Sequence, residues 1–145
     1  GAYIFFAVAD YIIPPKPFVK YQLLIWGKSN ATYAAMMARY KHNFEPLLWC
    51  QKPPTKWRGD TRQAALWWLP REPENVAHPT QKPVGVMLRA IGNSSDPADL
   101  ILDPFLGSGT TAVAAKQLGR KFIGIEINMD YCRIAEDRLR QEELF

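Results

Sequence analysis

The feature that most constrains the fold is an apolar run that ends in an aspartate and passes directly into a glycine turn. Residues 100–102 (LIL) have the composition of a buried strand, and residues 103–111 (DPFLGSGTT) follow at once. A second apolar run, residues 122–125 (FIGI), ends in Glu126. That acid lies at about the 20-residue offset at which strand-turn-helix-strand folds place the carboxylate that binds ribose hydroxyls. The two acids and two glycines together predict one site for a nucleotide-like cofactor.

The turn differs from the common phosphate-binding loops. Gly107 and Gly109 can take positive φ and leave room for a ligand, and Thr110 and Thr111 suit a helix start at which a hydroxyl accepts from a free N–H. A Walker A loop needs Gly-Lys-Ser/Thr, and no lysine follows Gly109, so a triphosphate is not expected. The dinucleotide fingerprint has its third glycine replaced by Ala112, which that fingerprint tolerates. Taken alone, a Gly-Ser-Gly triplet also fits an ordinary strand-to-helix turn.

Three motifs in this order resemble the N4-cytosine/N6-adenine DNA methyltransferases, which use S-adenosylmethionine. They are residues 78–83 (HPTQKP), residues 103–111 and residues 119–126 (GRKFIGIE). Their order is that of the β class, in which the first two motifs follow the catalytic part. The close resemblance runs from about His78 to Leu139, with looser landmarks at residues 25–28 (IWGK) and 44–48 (FEPLL).

The resemblance implies a cofactor site. In it, Asp103 and the Gly107–Gly109 turn hold the methionine part, Glu126 holds the ribose hydroxyls, and Ile127 or Phe105 packs on the adenine. The predicted cofactor-binding residues are Thr80, Gln81, Lys82, Asp103, Phe105, Gly107, Ser108, Gly109, Thr110, Thr111 and Glu126.

The HPTQKP segment has two interpretations. By itself, His78 ahead of a proline is an ordinary loop residue, and Lys82-Pro83 is a helix entry. In members of the family the segment packs beside the glycine loop, where Thr80 and Gln81 hydrogen-bond the amino-acid moiety and Lys82 balances its carboxylate.

One motif of the family is missing. Its enzymes carry Asp/Ser/Asn-Pro-Pro followed by an aromatic residue, and this motif orients the target amino group and stacks on the flipped base. The Pro-Pro pairs at residues 14–15 and 53–54 have neither the polar residue before them nor the ring after them. No catalytic residue is therefore assigned. In this class the motif lies before a strand like Ala2–Ala7, so we expect the chain to be the later part of an enzyme.

We therefore expect an incomplete α/β sheet. The resemblance implies a Rossmann-like methyltransferase sheet, mostly parallel, with helices on both faces and an antiparallel hairpin. The strand of the missing motif would lie between Ala2–Ala7 and the strand ending at Asp103. Because buried strand edges rarely stay unpaired, upstream residues or a partner chain, such as the second copy of a homodimer, should supply it. The remaining possibility, direct pairing of strands 2–8 and 99–103, would contradict the expectation of a missing piece.

Apolar patterning predicts the individual elements. Strands are expected near 2–8, 22–27, 44–51, 99–103 and 121–126, and helices near 83–93, 110–118 and 129–143. The hairpin is formed by 22–27 and 44–51, and residues 66–69 (LWWL) are compatible with a short strand. The last helix is amphipathic, and its charges predict a solvated face: Arg133, Glu136, Asp137, Arg138 and Arg140.

The least regular stretch, about residues 52–76, mixes cations with indoles and is predicted to face DNA. Cations neutralise phosphates and exposed indoles stack on bases. The predicted DNA-binding residues are Lys56, Trp57, Arg58 and Arg62. Trp67 and Trp68 lie among apolar residues, which indicates that at least one ring is buried. The net charge of +4 weakly supports a polyanionic partner.

Composition limits the other classes of protein to which this chain could belong. A chain of 145 residues with 48% hydrophobic residues is an ordinary globular composition, so we expect one methyltransferase domain over residues 1–145. Cys50 and Cys132 have no companion residues for zinc or a disulfide framework, which is typical of a cytoplasmic protein. The apolar residues 1–14 include Asp10 and lack a basic start, so they predict neither a targeting signal nor a membrane partner.

The resemblance implies methyl transfer from S-adenosylmethionine to the exocyclic nitrogen of adenine (N6) or cytosine (N4) in double-stranded DNA, in a restriction-modification setting. We expect no DNA methylation by this chain alone, because the catalytic motif is absent. Two alternatives stay open: an inactive remnant that binds cofactor or DNA, and a methyltransferase that acts on RNA or protein.

Overall fold

The computed structural model describes residues 2–5, 16, 20–29, 43–52, 54, 57–71 and 81–141. The chain forms two compact units, residues 1–71 and 72–145. The elements, in chain order, are β1 (Ala2–Phe5), β2 (Lys20–Lys28), β3 (Phe44–Gln51), β4 (Leu66–Leu69), α1 (Val84–Ser94), β5 (Leu100–Asp103), α2 (Thr110–Gln117), β6 (Lys121–Gly124) and α3 (Met129–Gln141).

The first unit is built on a mixed four-stranded sheet with the order β1-β3-β2-β4. Strand β3 pairs antiparallel with both β1 and β2, and β4 pairs parallel to β2. The β2–β3 pairing confirms the predicted hairpin. Because opposite residues share a face, the pairs Leu24–Leu47 and Trp26–Trp67 lie on the same side of the sheet, where all four side chains are buried.

Strand β4 extends the hairpin, as the LWWL pattern allows. Trp67 is buried and Trp68 is exposed, which confirms that at least one of the two rings is buried. The Trp68 ring packs over Gly27 of β2, where a Cβ would lie 2.6 Å from the ring carbon Cε3. A side chain at that position would push the indole off the sheet, so the close approach of the ring requires glycine.

The second unit contains β5 and β6 as a parallel pair, together with the three helices. Helices α1 and α2 are in contact, and their buried residues include the small and branched apolar side chains of Val86, Ala90 and Val113. The pairing continues one residue beyond β6, since the Ile125 N–H donates to the Asp103 oxygen at 2.9 Å. No described helix of either unit is long and apolar enough to cross a lipid bilayer.

One face of the β5–β6 pair is uncovered. Leu100 and Leu102 are 58% and 61% exposed, and Ile123, opposite Leu102 on the same face, is 50% exposed. Parallel strands in α/β proteins are usually buried on both faces, so this exposure is unusual.

The observed elements match the predicted ones in type and differ slightly in length. The described part of the first strand ends at Phe5, so residues 6–8 of the predicted strand lie outside the described residues, as do residues 142 and 143 of the last predicted helix. The α/β class is confirmed, in the form of one mixed sheet and one parallel pair. Among the described strands, β1 pairs with β3 and β5 pairs with β6.

Candidate cofactor site

The site begins where β5 ends. The Asp103 carboxylate accepts a hydrogen bond from the Phe105 N–H at 3.0 Å, which bends the chain away from the strand direction. The next N–H, of Leu106, donates to the Ile125 oxygen at 2.9 Å, so the turn is joined to the chain that leaves β6. The strand-end acid therefore shapes the turn that it introduces.

Gly107 and Gly109 both have positive φ, at 56° and 83°, as the turn was predicted to need. A Cβ on Gly109 would lie 2.7 Å from the Ala135 Cβ, because α3 packs directly against this residue. A Cβ on Gly107 would meet nothing within 4 Å. Gly109 is therefore required for packing, whereas Gly107 leaves open space beside the turn.

Glu126 joins the glycine turn to the end of β6. One carboxylate oxygen, Oε2, accepts from the Gly107 N–H at 2.8 Å, and Oε1 accepts from the Asn128 N–H at 2.8 Å. Both oxygens of this carboxylate therefore accept hydrogen bonds from backbone N–H groups at the turn. The structure thus brings the second strand-end acid to the turn that follows the first.

The described part of the HPTQKP segment also reaches the turn. The Ser108 hydroxyl donates to Oε1 of Gln81 at 2.9 Å. Lys82 is half-buried just before α1, and Thr111 is half-buried in the first turn of α2. Thr80 and His78 lie outside the described residues.

The predicted hydroxyl cap of α2 was wrong. The helix begins at Thr110 after the N-cap residue Gly109, and no side chain caps it. The Thr110 hydroxyl oxygen instead accepts a hydrogen bond from Arg138 at 3.1 Å. A glycine in the left-handed conformation already turns the chain into the helix, so the hydroxyl is left to contact α3.

Arg138 is the residue of this site that the sequence analysis missed. It was expected on a solvated face of α3, yet it is half-buried and donates to Ser108 as well as to Thr110. The sequence did carry a signal that Arg138 lies on the packed face of α3, which is its position in the helical pattern. It follows Ala135 and Ile134 by three and four residues, so it continues the apolar stripe of the helix.

Two large apolar side chains next to the turn are almost fully exposed. Phe105 is 87% exposed and Ile127 is 98% exposed, and both follow strand-end acids. These are the residues that the resemblance assigned to the adenine ring. Their exposure leaves apolar surface beside the Glu126 carboxylate, which suits a ligand with a flat ring and hydroxyl groups.

The predicted DNA-binding residues lie in the first unit. The Trp57 ring is half-buried and packs against Trp49 with centroids 5.0 Å apart. Arg62 is exposed and forms an ion pair with Asp60 at 3.0 Å, and its hydrogen bonds lower the pKa of that carboxyl. Arg58 is half-buried, and Lys56 lies outside the described residues.

A family model described as DNA methylase, for N6 and N4 methyltransferases, matches residues 6–137. The chain belongs to the N4-cytosine/N6-adenine DNA methyltransferase family. This family depends on S-adenosylmethionine, and its α/β fold accounts for the strand-turn-helix arrangement at Asp103.

Curated members of the family are similar over most of this chain. The type II methyltransferase M2.LlaDCHI of Lactococcus lactis subsp. cremoris is 39% identical over an alignment of 134 residues, and the match covers 81% of this chain and 50% of that protein. M2.DpnII of Streptococcus pneumoniae is 38% identical over 135 residues, again with 50% of its length covered. The chain therefore spans about half the length of the curated relatives that it matches.

Solved methyltransferases share the fold. The M1.HpyAVI–SAM complex has 36% sequence identity and a TM-score of 0.70, covering 81% of this chain and 61% of that one. TTHA0409 from Thermus thermophilus, solved with S-adenosyl-L-methionine, has 25% identity and a TM-score of 0.59, covering 83% and 52%. The cytosine-N4-specific PvuII methyltransferase, at 19% identity and a TM-score of 0.68, shows likeness of fold alone.

Proposed function

We propose that this chain forms the cofactor-binding part of a DNA methyltransferase that acts on the exocyclic amino group of adenine (N6) or cytosine (N4) in double-stranded DNA. The observation that carries the proposal is the single turn at which the Asp103 and Glu126 carboxylates meet the N–H groups of residues 105 and 107. S-adenosylmethionine, when bound, supplies the electrophilic methyl group.

The residues of the turn fit that cofactor chemically. A carboxylate such as that of Glu126 is the group that binds ribose hydroxyls in strand-turn-helix-strand folds, and the apolar side chains of Phe105 and Ile127 offer surface to the adenine. Asp103 and the open space at Gly107 suit the charged methionine end. We assign cofactor contacts to these residues and to Thr80, Gln81, Lys82, Ser108, Gly109, Thr110 and Thr111.

We assign contacts with DNA to Lys56, Trp57, Arg58 and Arg62 of the first unit. Arg62 extends into solvent, where its surface ion pair with Asp60 costs little to break in favour of a phosphate. The Trp57 ring is half-buried and is held in place by packing against the Trp49 ring. In this proposal the enzyme acts in the cytoplasm as part of restriction-modification, the setting suggested by the type II relatives.

The uncovered face at Leu100 and Leu102 supports a second part of the proposal, that further polypeptide packs on this side of β5 and completes the fold. Upstream residues are the first candidate and a second copy of the chain is the next. Upstream residues would also bring the Pro-Pro-aromatic motif to β5, whereas a second copy of these residues lacks that motif.

The cofactor assignment is tested by isothermal titration calorimetry on Glu126→Ala. We expect S-adenosylmethionine binding to weaken by about 1–3 kcal/mol, the scale of hydrogen bonds to a charged group. Glu126→Gln keeps one acceptor oxygen and should lose less. Glu136→Ala is the matched control, since that glutamate is exposed in α3 and pairs only loosely with Arg140, at 3.6 Å. Unchanged affinity in Glu126→Ala contradicts the ribose assignment.

The acceptor is tested by incubating labelled cofactor with duplex DNA, RNA and protein. The 145-residue chain alone should transfer no methyl group, and the protein at its natural length should methylate DNA. Methylation of DNA by the 145-residue chain would show that the active site has been misassigned. Transfer only to RNA or protein would favour a methyltransferase that acts on RNA or protein. Cofactor binding without any transfer by the natural-length protein would favour the inactive remnant.

A further inference from the structure

One end of the glycine turn is held by a side chain of α3, a helix that is far from the turn in the sequence but packs against it. Arg138 of α3 has its Nη1 atom 2.8 Å from the Ser108 backbone oxygen, 3.3 Å from Ser108 Oγ and 3.1 Å from Thr110 Oγ1. Two N–H bonds are thus shared among three oxygens of one short segment. Ser108 and Thr110 are both buried, so water competes weakly for these hydrogen bonds.

The turn needs such contacts because of its glycines. Gly107 and Gly109 both have positive φ, and glycine loses more conformational freedom on ordering than any other residue. The Glu126 carboxylate holds the first glycine through its N–H. Arg138 holds the residues on either side of the second, while Ala135, one helical turn earlier, packs against Gly109 itself.

We propose that Arg138 is a positioning residue for the cofactor. It keeps residues 108–110 in the conformation that accepts the methionine end, without needing to contact the cofactor itself. Through the Ser108 hydroxyl the same arrangement reaches Gln81, so α3, the turn and the segment before α1 form one hydrogen-bonded group. The inference rests on the proposed function of this turn.

The chemistry of the side chain explains why an arginine is used. A guanidinium is planar and carries several donors in a fixed arrangement, whereas a lysine ammonium is a compact group on a flexible stem. If the turn samples other conformations, apparent affinity falls in proportion to the fraction of molecules that are competent to bind. Loss of Arg138 should therefore raise the dissociation constant for the cofactor more than it slows the chemical step.

The test compares Arg138→Met and Arg138→Lys in the protein at its natural length. Calorimetry with S-adenosylmethionine should show a dissociation constant raised about tenfold in Arg138→Met, the scale expected when charged hydrogen bonds are lost. Arg138→Lys should recover part of the loss. KM for the cofactor should rise while kcat at saturating cofactor stays within about twofold, a split that a general loss of fold would not produce.

Arg140→Met is the matched control, because Arg140 lies on the same helix, is exposed, and pairs with Asp137 at 3.0 Å. The affinity of the Arg140→Met variant for S-adenosylmethionine should equal that of the wild type. Unchanged affinity in a folded Arg138→Met, or an equal loss in Arg140→Met, overturns the positioning role. If Arg138→Met does not fold, Arg138→Lys decides, and wild-type affinity there overturns it. A wild-type protein that binds no cofactor refutes the proposed function, and the positioning role with it.

Discussion

The buried sheet face of the first unit and the glycine turn of the second are stabilised in different ways. In residues 1–71, large apolar side chains such as Trp26, Leu47 and Trp67 are buried on one face of the sheet. In residues 72–145, the glycine turn donates a hydrogen bond to Glu126 and accepts hydrogen bonds from Arg138, while apolar side chains beside it stay exposed. Hydrogen bonds from residues far away in the sequence can hold a backbone segment in place without filling the space next to it. The second arrangement therefore leaves room for a ligand, and the first does not.

The exposed apolar residues of the second unit also fall into two groups. Phe105 and Ile127 lie next to the strand-end acids, where the proposed cofactor would cover them. Leu100, Leu102 and Ile123 lie on the strands themselves, where only another layer of polypeptide would do so. The comparison separates the surface proposed for the cofactor from the surface proposed to be covered by further polypeptide.

The largest expected effect tests the difference in burial. Leu47→Ala should lower the free energy of unfolding by about 2–5 kcal/mol, because a fully buried leucine leaves a cavity. Leu102→Ala, at a side chain that is 61% exposed, should cost much less in the 145-residue chain. Urea denaturation followed by tryptophan fluorescence and circular dichroism measures both. Equal losses would remove the contrast in burial between these two strand positions.

The next prediction separates the two glycines of the turn. Gly109→Ala should destabilise the protein by about 2–4 kcal/mol, because it adds a clash with Ala135 to the cost of a positive φ. Gly107→Ala meets open space and should cost only about 1–2 kcal/mol, the conformational cost alone. Thermal unfolding gives the stabilities. A Gly107→Ala variant as unstable as Gly109→Ala would show that the space beside Gly107 is not open.

The smallest effect concerns the exposed acid of the first unit. The hydrogen bonds from the Arg62 side chain and backbone hold the pKa of Asp60 below its ordinary value. This pair therefore stabilises the folded state at pH values above the ordinary carboxyl pKa, and the contribution is lost as the pH falls through the lowered pKa. An NMR titration should show the Asp60 pKa rising in Arg62→Ala, with little change in stability. Lys16→Ala, at another exposed cation, is the control and should leave that pKa unchanged.

Much of the site could be predicted from sequence because its parts are local patterns. A strand that ends in an acid, a turn with two glycines and a second strand ending in an acid are each recognisable within ten residues, and the structure places Glu126 at the turn as expected. Strand β4 was allowed by the LWWL pattern, but its parallel pairing with β2 depends on residues about 40 positions away. Arg138 was misjudged because the helical pattern of α3 shows which face a residue lies on and not what packs against that face.

The amino-acid sequence by itself determined the family, the α/β class and the chemical character of the turn, since these follow from motif order, apolar periodicity and the conformational freedom of glycine. Only the tertiary structure decided which groups hold the turn. The bonds from Gly107 to Glu126, from Ser108 to Gln81 and from Arg138 to Ser108 join residues 19, 27 and 30 positions apart. Their geometry depends on how β6, the segment before α1, and α3 pack around the turn, because a hydrogen bond forms only when packing brings donor and acceptor within about 3 Å.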